Sequence, residues 1–574
     1  MRPVRVAAGA TAALTLLGVG TGTALASSAT PAPHQAPSAT GWSPTHTKAL
    51  TKILSSKTTT NIGALAPDTS LRIAAVLPVR DSSGLSARAQ AEANPASSDF
   101  EHYLTPKQFV ADYAPTAATA SAVSSYLTSS GFTNVQVASN RLMITATGTA
   151  EQVEHAFDTT LDRFVIGTDS AHPVFANVTA ASVPTRLSGD VAAVLGLNDF
   201  HMSDQPEVAT PKTPLTGYYP KEFQTVYGAT GTPTGGKTTI AVMAEGDVTP
   251  VITSLRYAES KEGLPQVPVT VVHTGPQTSD TSGADEWDLD TQVSTGMAQT
   301  VKHLYIYDAS TLTDVDLSHE INTWAAQDVA REGSASLGEP DILPYLDGSM
   351  LAIDTAVEES AVQGQTFFAS TGDTGASCAI EDTNGVPDSG APAQLCYPAD
   401  GTWTTAVGGT TLVTSSSDAY EEELAWNAGG GGNSELEYPG AWTNIADPVG
   451  AETGARGDPD IAMDADLTTG CLVYVGTSLE VVGGTSVSSP LAMGAYARVQ
   501  SAHNNTLGDG VLRFYGLYNK ANPAAGDTNA VPGFHDIILG SNGGYAATPG
   551  WDFTTGIGSL DVAPLIKALD PPAK

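Results

Sequence analysis

The chain of 574 residues predicts an α/β protein, a mostly parallel sheet flanked by helices, preceded by a smaller α+β domain. Three observations predict it. From Tyr218 onward, short apolar runs rich in β-branched residues alternate with helix-like segments, at the spacing of parallel crossovers. Upstream, strand-like and helix-like runs mix on a shorter scale. Between the two lies "DQPEVATPKTPLTG", residues 204–217, whose three prolines and polar residues mark a linker open to cleavage.

The elements follow in order. Arg2 and Arg5 precede a short apolar run ending in Ala24-Leu25-Ala26, the pattern of a secretory signal over residues 1–26. A secreted, extracellular protein is therefore expected. Residues 27–43 are rich in Ser, Pro, Ala and Thr and read as a linker. In the smaller domain, residues 44–203, "LRIAAVLPVR" reads as a strand and residues 85–93 and 117–129 as helices. "NVQVASN" and "RLMITATG" read as paired strands, and "TAEQVEHAF" as a helix capped by Thr149. In the larger domain, residues 218–574, strands are expected at "KTTIAVMAE", "VPVTVVHTG", "KHLYIYDA", "DILPYL" and "GQTFFAST". Helices are expected over residues 285–300, 317–332 and 350–362, and glycine-rich loops after Cys396. Sites in such a sheet lie beyond the carboxyl ends of the strands.

Composition narrows the function. Lys and Arg total 25 and Asp and Glu 61, a formal charge of −36. Such a surface repels nucleic acid and anionic membranes, so neither is an expected partner. It suits an acidic environment, where carboxyls protonate and few basic groups remain to repel one another. No segment after the signal has the roughly 20 apolar residues of a membrane span. Of three cysteines, Cys378 and Cys396 are close enough in sequence to staple one loop. Such a staple would contribute about 3 kcal/mol. Cys471 is then a buried thiol or an alternative partner. No Cys/His spacing resembles a zinc site.

The chemistry is read from "GGTSVSSP", Gly483 to Pro490. Ser486 follows a glycine turn and opens a helix-like segment, a place for a nucleophile. It needs a base. His273, His303, His319, His503 and His535 are the histidines of the larger domain's chain, and none sits in a His-Gly-Ser/Thr context. Carboxylates are the alternative. In "GADEWDLDTQ", a helix would put Glu286 and Asp290 on one face, four residues apart. Carboxyls held close share a proton, and one of them has a raised pKa. In "FFASTGDTG", Asp373 sits in a glycine turn at a strand's carboxyl end.

"GGTSVSSP", "EWDLDTQ" and "STGDTG", in this order of acids and serine, resemble the sedolisin family of serine-carboxyl peptidases. "FEHYLTPKQF" is similar to its prodomain signature, and "TAVGGTTL", "GGGGNSELEYPGAW" and "GDPDIAMDAD" to its catalytic blocks. The resemblance covers most of the chain. It implies a subtilisin-like peptidase domain behind an α+β, ferredoxin-like prodomain. It assigns Ser486 as nucleophile, Glu286 as general base, Asp290 as its partner and Asp373 as the oxyanion-hole acid. A carboxylate base stays competent at a pH where histidine is protonated. Asp373 can donate to an oxyanion while it holds a proton.

Near the C-terminus, Asp536 and Asp552 flank a glycine-rich loop, and carboxylates with carbonyls form an oxygen cage suited to Ca²⁺. The resemblance implies one structural ion, with side chains from Asp536 and Asp552 and carbonyls from Ile537, Thr548 and Gly550. The family has glycine where Thr548 stands. It also has a Ser-x-Ser-Trp/Tyr-Gly strand that pairs with substrate, whose counterpart here is read as "DILPYLDGS", where Pro344 lacks the N–H to pair. The expectation is thus a secreted, acid-acting endopeptidase made as a self-processing zymogen, its prodomain an intramolecular inhibitor and chaperone. A monomer acting on protein or peptide substrates is expected. Acid would release the prodomain by weakening its carboxylate contacts. A tripeptidyl-peptidase of the same family and an inactive peptide-binding relative are the alternatives, the latter kept open by "DILPYLDGS".

Overall fold

The computed structural model describes residues 41–55, 59–167, 171–202, 207–208, 217–378, 394–440, 454–521 and 531–570. The expected signal, and most of the two expected linkers, lie outside the described residues. Trp42 and Ser43, placed at the end of the first linker, instead continue with Pro44 as a strand paired to Ser182–Pro184 of the smaller domain.

In the smaller domain the elements run β1 (Ser70–Val76), α1 (Ser82–Ala93), α2 (Pro106–Asp112), α3 (Ala117–Ser129), β2 (Thr133–Val137), β3 (Met143–Thr149), α4 (Ala150–Phe157) and β4 (Ala193–Leu195). Thr149 caps α4: its Oγ1 accepts from the Gln152 N–H while Gln152 Oε1 accepts the Thr149 N–H. The sheet is antiparallel, in the order β2-β3-β1-β4. With α1 and α2 as insertions this is βαββαβ, the ferredoxin-like arrangement. Leu71, Ile73 and Ala75 of β1 pack on Val123, Leu127, Val153 and Phe157 of α3 and α4. The alternate residues, Ala74 and Val76, join Met143, Ala193 and Leu195 against Val315 and Ala352 of the larger domain. From Ile73 to Val76 strand β1 is a continuous apolar run because both of its faces are covered.

The larger domain runs β5 (Thr239–Glu245), α5 (Thr249–Glu262), β6 (Val269–His273), α6 (Ala284–Ala298), β7 (His303–Ala309), α7 (Asp314–Gln327), β8 (Glu332–Ala335), α8 (Ile342–Asp347), α9 (Ser349–Val362), β9 (Thr366–Ser370), β10 (Thr405–Thr414), β11 (Tyr420–Ala425), β12 (Ile461–Asp464), β13 (Cys471–Val475), β14 (Ser478–Gly483) and α10 (Thr485–Ala502). Its sheet of eight strands has the order β6-β7-β5-β8-β9-β10-β11, with β12 also beside β10. Every pairing is parallel except β10 with β11. Helix α10 is buried along nearly its whole length, with α6 against it. At Gly494 a side-chain carbon would collide with the Ser294 carbonyl and Met297 of α6, so glycine permits the close crossing.

Two expected elements differ. "DILPYL" is helix α8, not a strand. Pro344 sits in its first turn, where no N–H is needed, and Gly348, at φ 93°, ends it by donating to the Pro344 carbonyl. The helix expected over 317–332 runs Asp314–Gln327 instead, stops at Asp328 in the left-handed region, and is followed by strand β8. Gly333, Ser334 and Ala335 carry little apolar signal, yet β8 is fully buried between β5 and β9. Cys378 and Cys396 form a disulfide, and Cys471 is a buried free thiol.

Candidate active site

The four expected site residues come from three places in the larger domain. Glu286 and Asp290 lie one turn apart on α6, and both are buried; so is Asp288 between them. This is no solvated acidic face. Asp288 points away toward Ser254, and burial pushes its carboxyl up to about 8. Asp290 is completely enclosed. Burial holds its carboxyl well above the ordinary carboxylate range, and a hydrogen bond from Ser336 opposes that shift.

Ser486 is the second residue of α10 and is 7% exposed. Ahead of it, Gly484 has φ 101°, a conformation that suits glycine. A side chain at Gly484 would strike Oδ2 of Asp373. Thus Asp373, just beyond β9, reaches the turn that leads into the nucleophile helix. Its Oδ1 accepts from the Thr485 N–H at 2.7 Å and from Thr485 Oγ1 at 2.7 Å. Thr485 Oγ1 in turn accepts from the Gly372 N–H at 3.0 Å, closing a ring of bonds between the two turns. The positive end of the α10 helix dipole adds a favourable field for negative charge here.

Ser336, which follows β8, joins the two halves. Its Oγ donates to Asp290 Oδ1 at 2.7 Å and lies 3.3 Å from the Ser486 carbonyl oxygen. Reading the sequence missed this residue. The signal was present: Ser334-Ala335-Ser336-Leu337-Gly338 has the Ser-x-Ser-x-Gly pattern, with leucine in the aromatic position. The segment first assigned to that pattern is α8, so Pro344 has no bearing on pairing along β8.

The histidines are engaged elsewhere. His273 Nδ1 bonds Asp308, His303 bonds Thr270, His319 meets Arg72, His503 meets the Ile566 carbonyl and His535 stacks on Tyr420.

At the C-terminal loop the structure brings both expected carboxylates to one turn. Asp536 accepts from the Gly550 N–H at 3.0 Å, and Asp552 Oδ2 from the Thr548 N–H at 2.7 Å. Ile537 is buried beside Asp536. Gly550 has φ 87°, whereas Thr548 is not among the left-handed residues, so its threonine costs no backbone strain. Carboxylate and carbonyl oxygens are the kind of donor that a hard cation requires.

The smaller domain docks by polar contacts too. Arg72 pairs with Asp316 at 2.6 Å and donates to the Thr274 carbonyl at 2.9 Å. Asn140 donates to Glu359 at 2.6 Å and Asn198 to Asp347 at 3.0 Å, while Ser86 bonds Glu358. Tyr103 of "FEHYLTPKQF" donates to the Leu507 carbonyl at 2.6 Å and sits against Gly364 and Gly508, where side chains would strike its ring. Beyond this domain, Glu207 and Val208 pair antiparallel with Gly483 and Val482, on the strand that runs into the Ser486 turn.

Comparison with known proteins points to the same two-domain fold. Residues 57–200 match the Pro-kumamolisin activation domain and residues 275–528 the Subtilase family. Sedolisin of Pseudomonas sp. (strain 101) is 35% identical over 561 residues, 92% of this chain and 92% of that protein. Xanthomonalisin of Xanthomonas sp. (strain T-22) is 32% identical over 566 residues, 88% of this chain and 66% of its own. A solved structure of Pseudomonas sedolisin, a serine-carboxyl proteinase bound to two molecules of pseudo-iodotyrostatin, aligns with a TM-score of 0.56 at 34% identity, over 61% of this chain and 97% of that one. The fold and these relatives together place the chain in the sedolisin family of serine-carboxyl peptidases, with an activation prodomain ahead of its subtilisin-like peptidase domain.

Proposed function

We propose that the protein is a secreted endopeptidase that works in acid and frees itself from its prodomain, with Ser486, Glu286, Asp290 and Asp373 as its catalytic residues. The observation that carries this is the meeting of Asp290, Ser336 and the Ser486 backbone, with Asp373 bonded to the residue before the nucleophile. Ser486 Oγ attacks the scissile carbonyl, and its proton passes to Glu286. Asp290 steadies the base, as the third member of a triad does. Asp373 Oδ1 already accepts two hydrogen bonds from Thr485, so a proton on this carboxyl sits on Oδ2. From there it donates to the oxyanion of the tetrahedral intermediate. Glu286 then protonates the leaving amine, and a water, deprotonated by the same carboxylate, hydrolyses the acyl-enzyme and restores Ser486.

The zymogen reading draws on the chain path. Residues 207–208, within the expected processing region 204–217, pair with Gly483 and Val482 on the strand that runs into the Ser486 turn. Most of that region lies outside the described residues. Acid is the trigger, but the buried Glu358 and Glu359 contacts do not supply it. Burial raises Glu358 to about 7 and Glu359 to about 8, so these groups are protonated while docked and acid favours their docked form. A group that acid loosens is His319, whose Nδ1 lies 3.0 Å from Arg72 of the prodomain. Only neutral histidine can accept there, and burial with the Arg72 charge holds His319 down at about 4.

Asp536 and Asp552 fit one structural Ca²⁺, with the carbonyls of Ile537, Thr548 and Gly550 completing an all-oxygen set. The ion would neutralise the buried Asp552 and fix the loop.

The test is a gel time course at about pH 4, where a carboxylate base still titrates. Precursor and its Ser486→Ala variant are incubated with denatured protein. Prodomain loss and internal fragments from the unmutated chain alone support the reading. Release of successive tripeptides would instead make it a tripeptidyl-peptidase. No cleavage at any pH would leave a binding protein on a peptidase fold.

A further inference from the structure

Strand β8 and the residue after it present two serines on one face, since Ser334 and Ser336 are two apart. Both hydroxyls point at the catalytic helices. Ser334 Oγ lies 2.9 Å from Ser489 Oγ, three residues past the nucleophile on α10. Ser336 Oγ bonds Asp290 on α6 and touches the carbonyl of Ser486. All of these side chains are buried, so bulk water does not compete for the bonds.

We propose that Ser336 is a positioning residue for the catalytic carboxylates: its O–H holds the Asp290 carboxyl in one orientation beside the backbone of the nucleophile, while Ser334 holds the strand to the nucleophile helix. This inference rests on the serine-carboxyl reading above. Asp290 needs such a group because little else orients it. Its Oδ2 receives no N–H or O–H among the described residues, so Ser336 is the donor that sets the plane of the carboxylate. With Oδ1 engaged, Oδ2 is the oxygen left to share a proton with Glu286 one turn away. The groups facing Asp290 are Ser336 from the strand, the Ser486 backbone from α10 and Glu286 from its own helix. Burial favours its protonated form, and the Ser336 bond favours the ionised one. A short hydroxyl on a strand holds its position better than a mobile water, and its single proton goes to the nearer acceptor.

The experiment compares pH–rate profiles of the processed enzyme and its Ser336→Ala, Ser336→Thr and Ser334→Ala variants, each confirmed as folded by circular dichroism. Loss of the Ser336 hydroxyl removes a donor to the ionised form, so the apparent pKa values of the carboxylate pair rise. The Ser336→Ala profile is expected to move to higher pH by roughly half to one unit. Its kcat should fall about tenfold or more with KM nearly unchanged, as for an interaction made in the transition state. Ser336→Thr restores the hydroxyl and should bring the profile back toward that of the unmutated enzyme. Ser334→Ala loses a comparable buried hydroxyl bond but touches neither carboxylate, so its profile should not move. A Ser336→Ala profile that stays in place, moves to lower pH, or shifts no more than that of Ser334→Ala overturns the proposal. Glu286→Gln, run in the same series, separates the two readings. If it retains activity, the serine-carboxyl mechanism itself fails. If it is inactive while Ser336→Ala is normal, only the positioning role falls.

Discussion

At the scale of single residues, the turn ahead of Ser486 suits the donor role proposed for Asp373. Thr485 saturates Oδ1 of Asp373 with an N–H and an O–H, and Gly484 clears the space in front of Oδ2. An asparagine at this position can keep both features, its carbonyl oxygen accepting from Thr485 and its amide donating to the oxyanion without needing acid. Asp373→Asn is therefore expected to retain part of the turnover and to extend activity toward neutral pH. Asp373→Ala, which has no donor, should lose about 10²–10³ in kcat. Steady-state kinetics between acid and neutral pH decide this. Equal losses in the two variants, with the same pH limb, would remove Asp373 from the oxyanion site.

At the scale of elements, the prodomain is held by a sheet face and by a few polar contacts that titrate in opposite senses. His319 on α7 is an acid-sensitive one. Facing it are Arg72 from β1 and the Thr274 carbonyl, with Asp316 of its own helix paired to Arg72, and His201 of the prodomain also lies near Asp316. A depressed docked value means that its contribution to docking is complete above the free histidine value of about 6.5 and is lost as pH falls toward 4. Glu358 and Glu359 act the other way, and their penalty for docking grows as pH rises toward 7 and 8. His319→Gln keeps an acceptor for Arg72 and removes the titration. Its precursor should process at a pH lower by roughly one unit than the unmutated chain, read as the midpoint of prodomain loss on gels. An unchanged midpoint would show that the trigger lies elsewhere. The C-terminal loop offers a second test at this scale. If Asp536 and Asp552 hold Ca²⁺, chelation should lower Tm by several degrees, and Asp552→Ala should abolish that response.

At the scale of the molecule, acid suits the fold because so many carboxyls are buried with few cations to pair them. Burial raises Asp288 and Glu339 to about 8 and Asp354 and Asp458 to about 7, and it raises Asp464 and Asp509 well above the ordinary range. The fully enclosed Arg456–Asp460 pair, at 2.7 Å, is an exception. Groups raised on folding bind more protons in the native state. Their stabilisation is complete below the unfolded value near 4 and disappears as pH climbs through 7 to 8. The charge of −36 at neutral pH adds self-repulsion in the same direction. Calorimetry of the Ser486→Ala precursor should show Tm highest near pH 4 and lower by about 10 °C or more at pH 8. A Tm that rises from acid to neutral would contradict this account.

Local pattern alone determined much of this protein. The two-domain division, helix α3 to the residue, the Thr149 cap, the crossover spacing of the large sheet and the glycine-flanked Ser486 and Asp373 turns are short-range signals, legible because period and turn chemistry act within a few residues. Glu286 and Asp290 were legible as a pair because four residues make one helical turn. Tertiary structure decided the rest. "DILPYL" is too short for periodicity to tell strand from helix, and the contacts of α8 chose helix. Strand β8 is nearly invisible in composition, since its small residues become a strand only by burial between β5 and β9. Ser336 meets Asp290 across 46 residues and the Ser486 backbone across 150, and His319 meets Arg72 across 247. Separations of that size carry no local signature, because the bond forms only after the sheet and its helices have been assembled.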